Sequence, residues 1–326
     1  MFPAGPVRHD VTLALRLQKR LAPTSEDSPV TPQVFLQLFW KAIKKWYDDS
    51  ASRHGAAIAY YTLFALAPVL LVVIAIAGMV FGDEAVRGQL VKEIAGLIGP
   101  DGAEAIQAIL VRASEPREGI GASAIALVGL FLATTGAFLE LQAALNKIWK
   151  VKVEQTALFD FKALLTRRLR SFGLVMAIGF LLMVSLSINA AVGAVVGWLG
   201  ERAADWPRVL LGINQLVSLV IATSMFAVLY RVLPDVQLEW RHVWVGAVTT
   251  ALLFAIGQRL IGLYLGSTAI ASPFGAAGTV AIILVWVYYA SQIVLLGAEF
   301  TYQYATYKEP EPQPMAGAVR DPVAAT

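Results

Sequence analysis

Residues 56–81 form an apolar run without Asp, Glu, Lys or Arg, and five comparable runs follow at about 120–145, 171–198, 209–233, 243–265 and 276–300. At about 1.5 Å per residue, each is long enough to cross a hydrocarbon core of about 30 Å as one helix. Lipid offers no partner for backbone N–H and C=O groups, so such segments are helices or a closed barrel, and runs this long and uniformly apolar leave only helices. The expected fold is all-α, a polytopic membrane protein with six transmembrane helices. The first run is too long for a signal peptide and follows about fifty polar residues that lack an apolar h-region.

The polar intervals are short. Residues 1–33 carry Pro3, Pro6, Pro23, Pro29 and Pro32 among polar positions, and residues 306–326 are similar, so both ends are expected to be disordered around a membrane domain of 34–305. Within 34–50, Phe35, Leu38, Phe39, Ile43 and Trp46 recur at helical spacing beside Lys41, Lys44 and Lys45. That pattern fits a helix on the inner membrane surface or a short helix docked on the bundle. In 82–119, two amphipathic patterns flank Gly99, Pro100 and Asp101, which predicts an extracytoplasmic helical hairpin serving as a lid or a stabilising cap.

Composition agrees, at 57% hydrophobic and 15% charged. Cations collect before the first run, including Lys41, Lys44, Lys45 and Arg53, and between the second and third, from Lys147 to Arg170. The alternate intervals are poorer, so the positive-inside rule places both termini in the cytoplasm. The net charge of +3 then reports topology and contact with anionic headgroups, without implying nucleic acid. There is no Cys, and His9, His54 and His242 are too scattered for a metal cage. No Walker loop or dinucleotide fingerprint occurs, so no cofactor, metal or catalytic residue is expected. Glycine pairs Gly193 with Gly197 and Gly262 with Gly266 fit close helix packing.

Polar groups at membrane depth are the candidates for function. Glu140, Arg231 and Glu299 sit near the expected cytoplasmic ends of spans two, four and six, where opposite charges can pair as an inner layer or gate. Each also has a structural reading: Arg231 as a snorkelling side chain, Glu140 and Glu299 as a clamp. Arg259 and Gln258 lie in the outer half of span five, at a depth comparable to Asn189, Asn214 and Gln215, which forms an outer layer on a substrate path. Pro68 and Pro273 are expected to kink or interrupt helices. Tyr60, Tyr61, Trp286, Tyr288 and Tyr289 fit an interior lining or interfacial anchors.

Two stretches resemble the YihY/BrkB family of bacterial inner-membrane proteins. They are Arg53-His54-Gly55-Ala56-Ala57-Ile58-Ala59-Tyr60-Tyr61 running into Pro68, and Phe274-Gly275-Ala276 through Trp286 to Glu299-Phe300. Leu145-Asn146-Lys147-Ile148-Trp149 and Leu233-Pro234-Asp235 fit the same pattern, and the resemblance covers about residues 35–305. It implies the bacterial inner membrane and no agreed activity. The family's old label of ribonuclease BN does not suit these residues, because a hydrolytic nuclease needs clustered carboxylates or an acid–base set in a wet groove.

The expectation is a carrier or flippase-like protein moving a lipid or other amphipathic, anionic substrate, with membrane lipids as its partners. A non-catalytic scaffold for envelope-assembly proteins and a proton- or sodium-coupled antiporter are the alternatives. Self-association is compatible with the packing glycines.

Overall fold

The computed structural model describes residues 31–98, 100–114, 136–153, 206–267, 276–308, 312–315 and 317–321. Among them the chain is almost entirely helical, in elements whose lengths follow the apolar runs. Helix α1 is Pro32–Asp48, started by Pro32 and by Thr31, whose hydroxyl accepts from the Val34 N–H at 3.4 Å. Helix α2, Ala51–Phe81, follows a left-handed Ser50 and runs unbroken through Pro68. It ends at Gly82, whose φ of 85° suits a residue without a Cβ. Helices α3, Asp83–Ile98, and α4, Pro100–Ser114, lie against each other and against α2. Residues 136–148 form α5, Trp206–Val232 α6, Trp240–Ser267 α7 and Ala276–Lys308 α8. Gln215–Val232, Trp240–Tyr264 and Val280–Lys308 are each long and apolar enough to cross a membrane. The chain is a helical membrane protein.

Helix α8 is the axis of the described bundle, packing on α7, α2 and α1, while α6 packs on α7. The main core joins α5, α6, α7 and α8 through Leu145, Trp149, Tyr230, Val243, Leu295 and Tyr302. Small residues set its tightness, as they do where lipid supplies no hydrophobic drive between helices. A Cβ at Gly246 would strike Thr301, and one at Gly297 would strike Thr250 and Tyr230. Among the described residues, nothing stands within 4 Å of where a Cβ on Gly262 would be, and Gly262 borders a cavity. Gly193 and Gly197 lie outside the described residues, and the surroundings of Gly266 are not described.

The segment after α8 also corrects the sequence reading. Instead of a disordered tail beginning at 306, α8 continues to Lys308 and residues 312–315 and 317–321 return to pair with other connectors of the bundle. Strand β2, Ala318–Arg320, pairs antiparallel with β1, Val151–Val153, in the register Val151↔Arg320 and Val153↔Ala318. Met315 N–H donates to the Asp235 carbonyl at 3.0 Å, Asp321 N–H to the Lys150 carbonyl at 3.0 Å, and Lys152 pairs with Asp321 at 2.8 Å. Backbone groups that a loop would leave to water are satisfied here by two other connectors. The strands have three residues each, too short to leave an alternating pattern. This face, with the start of α2 and the α6–α7 turn, is the tail end of the bundle.

Candidate functional site

Arg259 lies nineteen residues beyond Trp240 in α7, about 28 Å along a helix from the tail end. It lines a cavity of about 580 Å³ together with Gln215, Ala255, Gln258, Gly262 and Leu263. Three polar side chains expected to share a layer, Gln215, Gln258 and Arg259, therefore meet in one place. The side chain of Asn214 is not described, and Asn189 and Pro273 lie outside the described residues. The absent side chain at Gly262 leaves the cavity open at its α7 wall.

The same stretch of α7 exposes Trp244, Val248, Leu252, Ile256 and Leu260, spaced by four residues, and α6 exposes Leu216 and Val220 beside it. An apolar stripe at this spacing is a lipid-facing helix surface. Arg259 is itself exposed, so its guanidinium sits at the boundary between a polar cavity and an apolar flank. A planar donor fork in such a setting can bind a phosphate or carboxylate bidentately, and the two glutamine amides add donors and acceptors.

At the tail end the expected inner layer is rearranged. Glu140, Arg231 and Glu299 do not pair with one another. Glu140 Oε1 lies 2.9 Å from His54 Nδ1, joining α5 to α2. Arg231 stands over the Trp240 ring at 5.8 Å, a cation–π contact at the α6–α7 turn. Glu299 is 1% exposed, and Asp49, Lys45 and Lys150 are its charged neighbours. Its Oε1 has no hydrogen-bond partner. The reason is positional: α1 and the α5–β1 turn cover Glu299, whereas α2 reaches Glu140 first. Lys150, with φ of 53°, sets its ammonium 5.6 Å from the Tyr302 ring, one turn beyond Glu299.

A second polar centre had no counterpart in the sequence reading. Asp235, 5% exposed, accepts from Asn146 Nδ2 at 3.0 Å and Gln142 Nε2 at 3.3 Å, while its own N–H donates to Asn146 Oδ1 at 2.8 Å. This reciprocal pair fastens the α6–α7 turn to α5 and carries the tail through the Asp235 carbonyl. Asn146 and Asp235 both fall in family-like stretches, which was the only signal for them. Among the described residues, no group of three His, Cys, Asp or Glu is placed to hold a metal ion.

Tyr60, Tyr61 and Tyr288 are exposed, as interfacial or lipid-facing rings are, while Tyr289 reaches the backbone of α7 at Gly257. Helix α1 docks on α8 through Leu38, Ala42 and Phe300 and leaves Leu36, Trp40 and Tyr47 exposed.

The family profile described as Virulence factor BrkB matches residues 42–320. A UPF0761 membrane protein of Verminephrobacter eiseniae is 30% identical over 265 residues, covering 79% of this chain and 60% of that protein. One from Pseudoalteromonas atlantica is 25% identical over 273 residues, covering 82% of this chain and 85% of its own. One from Pseudomonas aeruginosa is 29% identical over 259 residues, covering 78% and 59%. This chain thus spans about three fifths of the length of the first and third of these. No solved structure matches it.

Proposed function

The chain belongs to the Virulence factor BrkB family of membrane proteins, and from that premise we propose that it is a six-helix carrier that moves an anionic amphiphile between leaflets. In this reading the protein lies in a bacterial inner membrane with both termini cytoplasmic, so its tail end faces the cytoplasm and the Arg259 cavity lies in the outer half. The α3–α4 pair is then extracytoplasmic. The observation that carries the reading is the cavity itself, where Arg259, Gln258 and Gln215 converge beside a lipid-facing stripe. A cation at membrane depth is expensive to keep, and a cavity bordering hydrocarbon gives it a use. An amphiphile can leave its tails in the lipid while its headgroup meets the guanidinium. A soluble anion gains nothing from the apolar flank.

The test is leaflet exchange of fluorescent lipids in proteoliposomes. Wild type is expected to exceed empty liposomes, and Arg259→Ala to slow exchange about ten-fold, the low end of a charge-assisted hydrogen bond. Equal rates for the two proteins, or none above empty liposomes, would overturn the proposal.

A further inference from the structure

The Arg259 cavity also restricts the kind of head it can take. Its described lining carries one formal charge, at Arg259, two amides, at Gln215 and Gln258, and no carboxylate. None of these three polar side chains hydrogen-bonds or pairs with another described residue. Beside a lipid-facing stripe that is costly, because hydrocarbon offers polar groups no partner. The volume of about 580 Å³ is that of about twenty water molecules. A bare phosphate or carboxylate on the guanidinium would leave most of this space, and both amides, unused.

We propose that the head recognised here is a phosphodiester bearing an uncharged polyol, of which phosphoglycerol is the simplest case. The inference rests on the carrier reading of the same cavity and names its substrate class. One guanidinium balances one negative charge, which is what a phosphodiester carries. A phosphomonoester carries roughly 1.5 to 2 at neutral pH, and a diphosphate carries more than one guanidinium can match. A zwitterionic head brings an ammonium into a lining that has a cation and no anion.

The amides account for the polyol. Each offers two N–H donors and a carbonyl acceptor, and a hydroxyl both donates and accepts, so neighbouring hydroxyls can satisfy both kinds of group at once. Gln258 is next to Arg259 on α7, whereas Gln215 comes from α6. A head held at its phosphate by Arg259 therefore reaches a second helix only if it extends beyond the phosphate. Amides accept from an ammonium as readily as from a hydroxyl, so they rank heads of like charge and leave the choice of sign to Arg259.

The test compares dioctanoyl phosphatidylglycerol with dioctanoyl phosphatidylmethanol, which share their tails, phosphodiester and charge and differ in the polyol. Each is titrated against the purified full chain in one nonionic detergent, and affinity is read from the rise in unfolding midpoint. Wild type is expected to bind the glycerol lipid about ten-fold more tightly, the ratio that one neutral hydrogen bond commands at its upper end. In Gln215→Leu with Gln258→Leu the ratio should fall to about one while affinity for phosphatidylmethanol holds, which a damaged fold would not preserve. Gln215→Leu alone, at an exposed position, should lower the ratio about three-fold. Arg259→Ala should weaken both lipids alike and keep their ratio. Equal affinities in wild type, or an undiminished ratio in the glutamine variants, would overturn the polyol. Selective binding by a protein that exchanges no lipid would count against the carrier alone.

Discussion

Replacing Gly297 by alanine tests the packing on which the whole arrangement rests. A Cβ there would fall well inside contact distance of Thr250 Oγ1 and 2.6 Å from the Tyr230 hydroxyl. Neither group is free to swing away. Tyr230 Oη donates to the Val294 carbonyl at 2.7 Å and lies 3.0 Å from Thr250 Oγ1, which itself donates to the Gly246 carbonyl at 2.8 Å. Making room means either separating α6 and α7 from α8 or breaking a buried hydrogen bond. Overpacking costs about 1–3 kcal/mol and a lost buried partner about the same, so by either route Gly297→Ala should destabilise the fold by about 1–3 kcal/mol. The assay is unfolding in one fixed detergent, followed by loss of helical circular dichroism. Gly262→Ala is the comparison, since no described residue stands within 4 Å of its Cβ position and alanine gains up to about 1 kcal/mol over glycine in a helix. Equal melting of Gly297→Ala and wild type, or an equal loss in Gly262→Ala, would refute the reasoning.

Other outcomes follow from the tail end. Asp235→Ala removes the acceptor of Asn146 and Gln142 and should cost about 1.5–3 kcal/mol, read as a lower melting point, with Asp235→Asn milder. Removing residues 312–326 unpairs β1 and should speed proteolysis within 149–153 under native conditions, while the intact chain resists. Lys41→Ala with Lys44→Ala should weaken docking of α1 on anionic headgroups by about 1 kcal/mol per lysine, seen as reduced quenching of Trp40 by lipid-borne quenchers.

The helices were legible because the bilayer imposes a length and an apolarity that a one-dimensional pattern records, as α6, α7 and α8 illustrate. That Gln215, Gln258 and Arg259 line one cavity accords with the rise per residue, which converts sequence position into height along a helix. Partner choice was not legible. Height alone made Glu140 a neighbour of Arg231, whereas rotation about each helix axis turns Glu140 to His54 and Arg231 to Trp240. Gly262 and Gly297 look alike in sequence and differ only in what faces them. The tail resembled a disordered end because its order comes from carbonyls of distant connectors, at Lys150 and Asp235, which no local pattern announces.

The most direct test of the central claim is the ratio of anionic to zwitterionic lipid exchange in proteoliposomes of wild type and Arg259→Gln. Gln keeps a polar side chain in the cavity and removes the charge. The account predicts faster exchange of the anionic lipid in wild type and a ratio falling to about one in Arg259→Gln, because only the guanidinium distinguishes the headgroups. An undiminished preference for the anionic lipid in Arg259→Gln would contradict it.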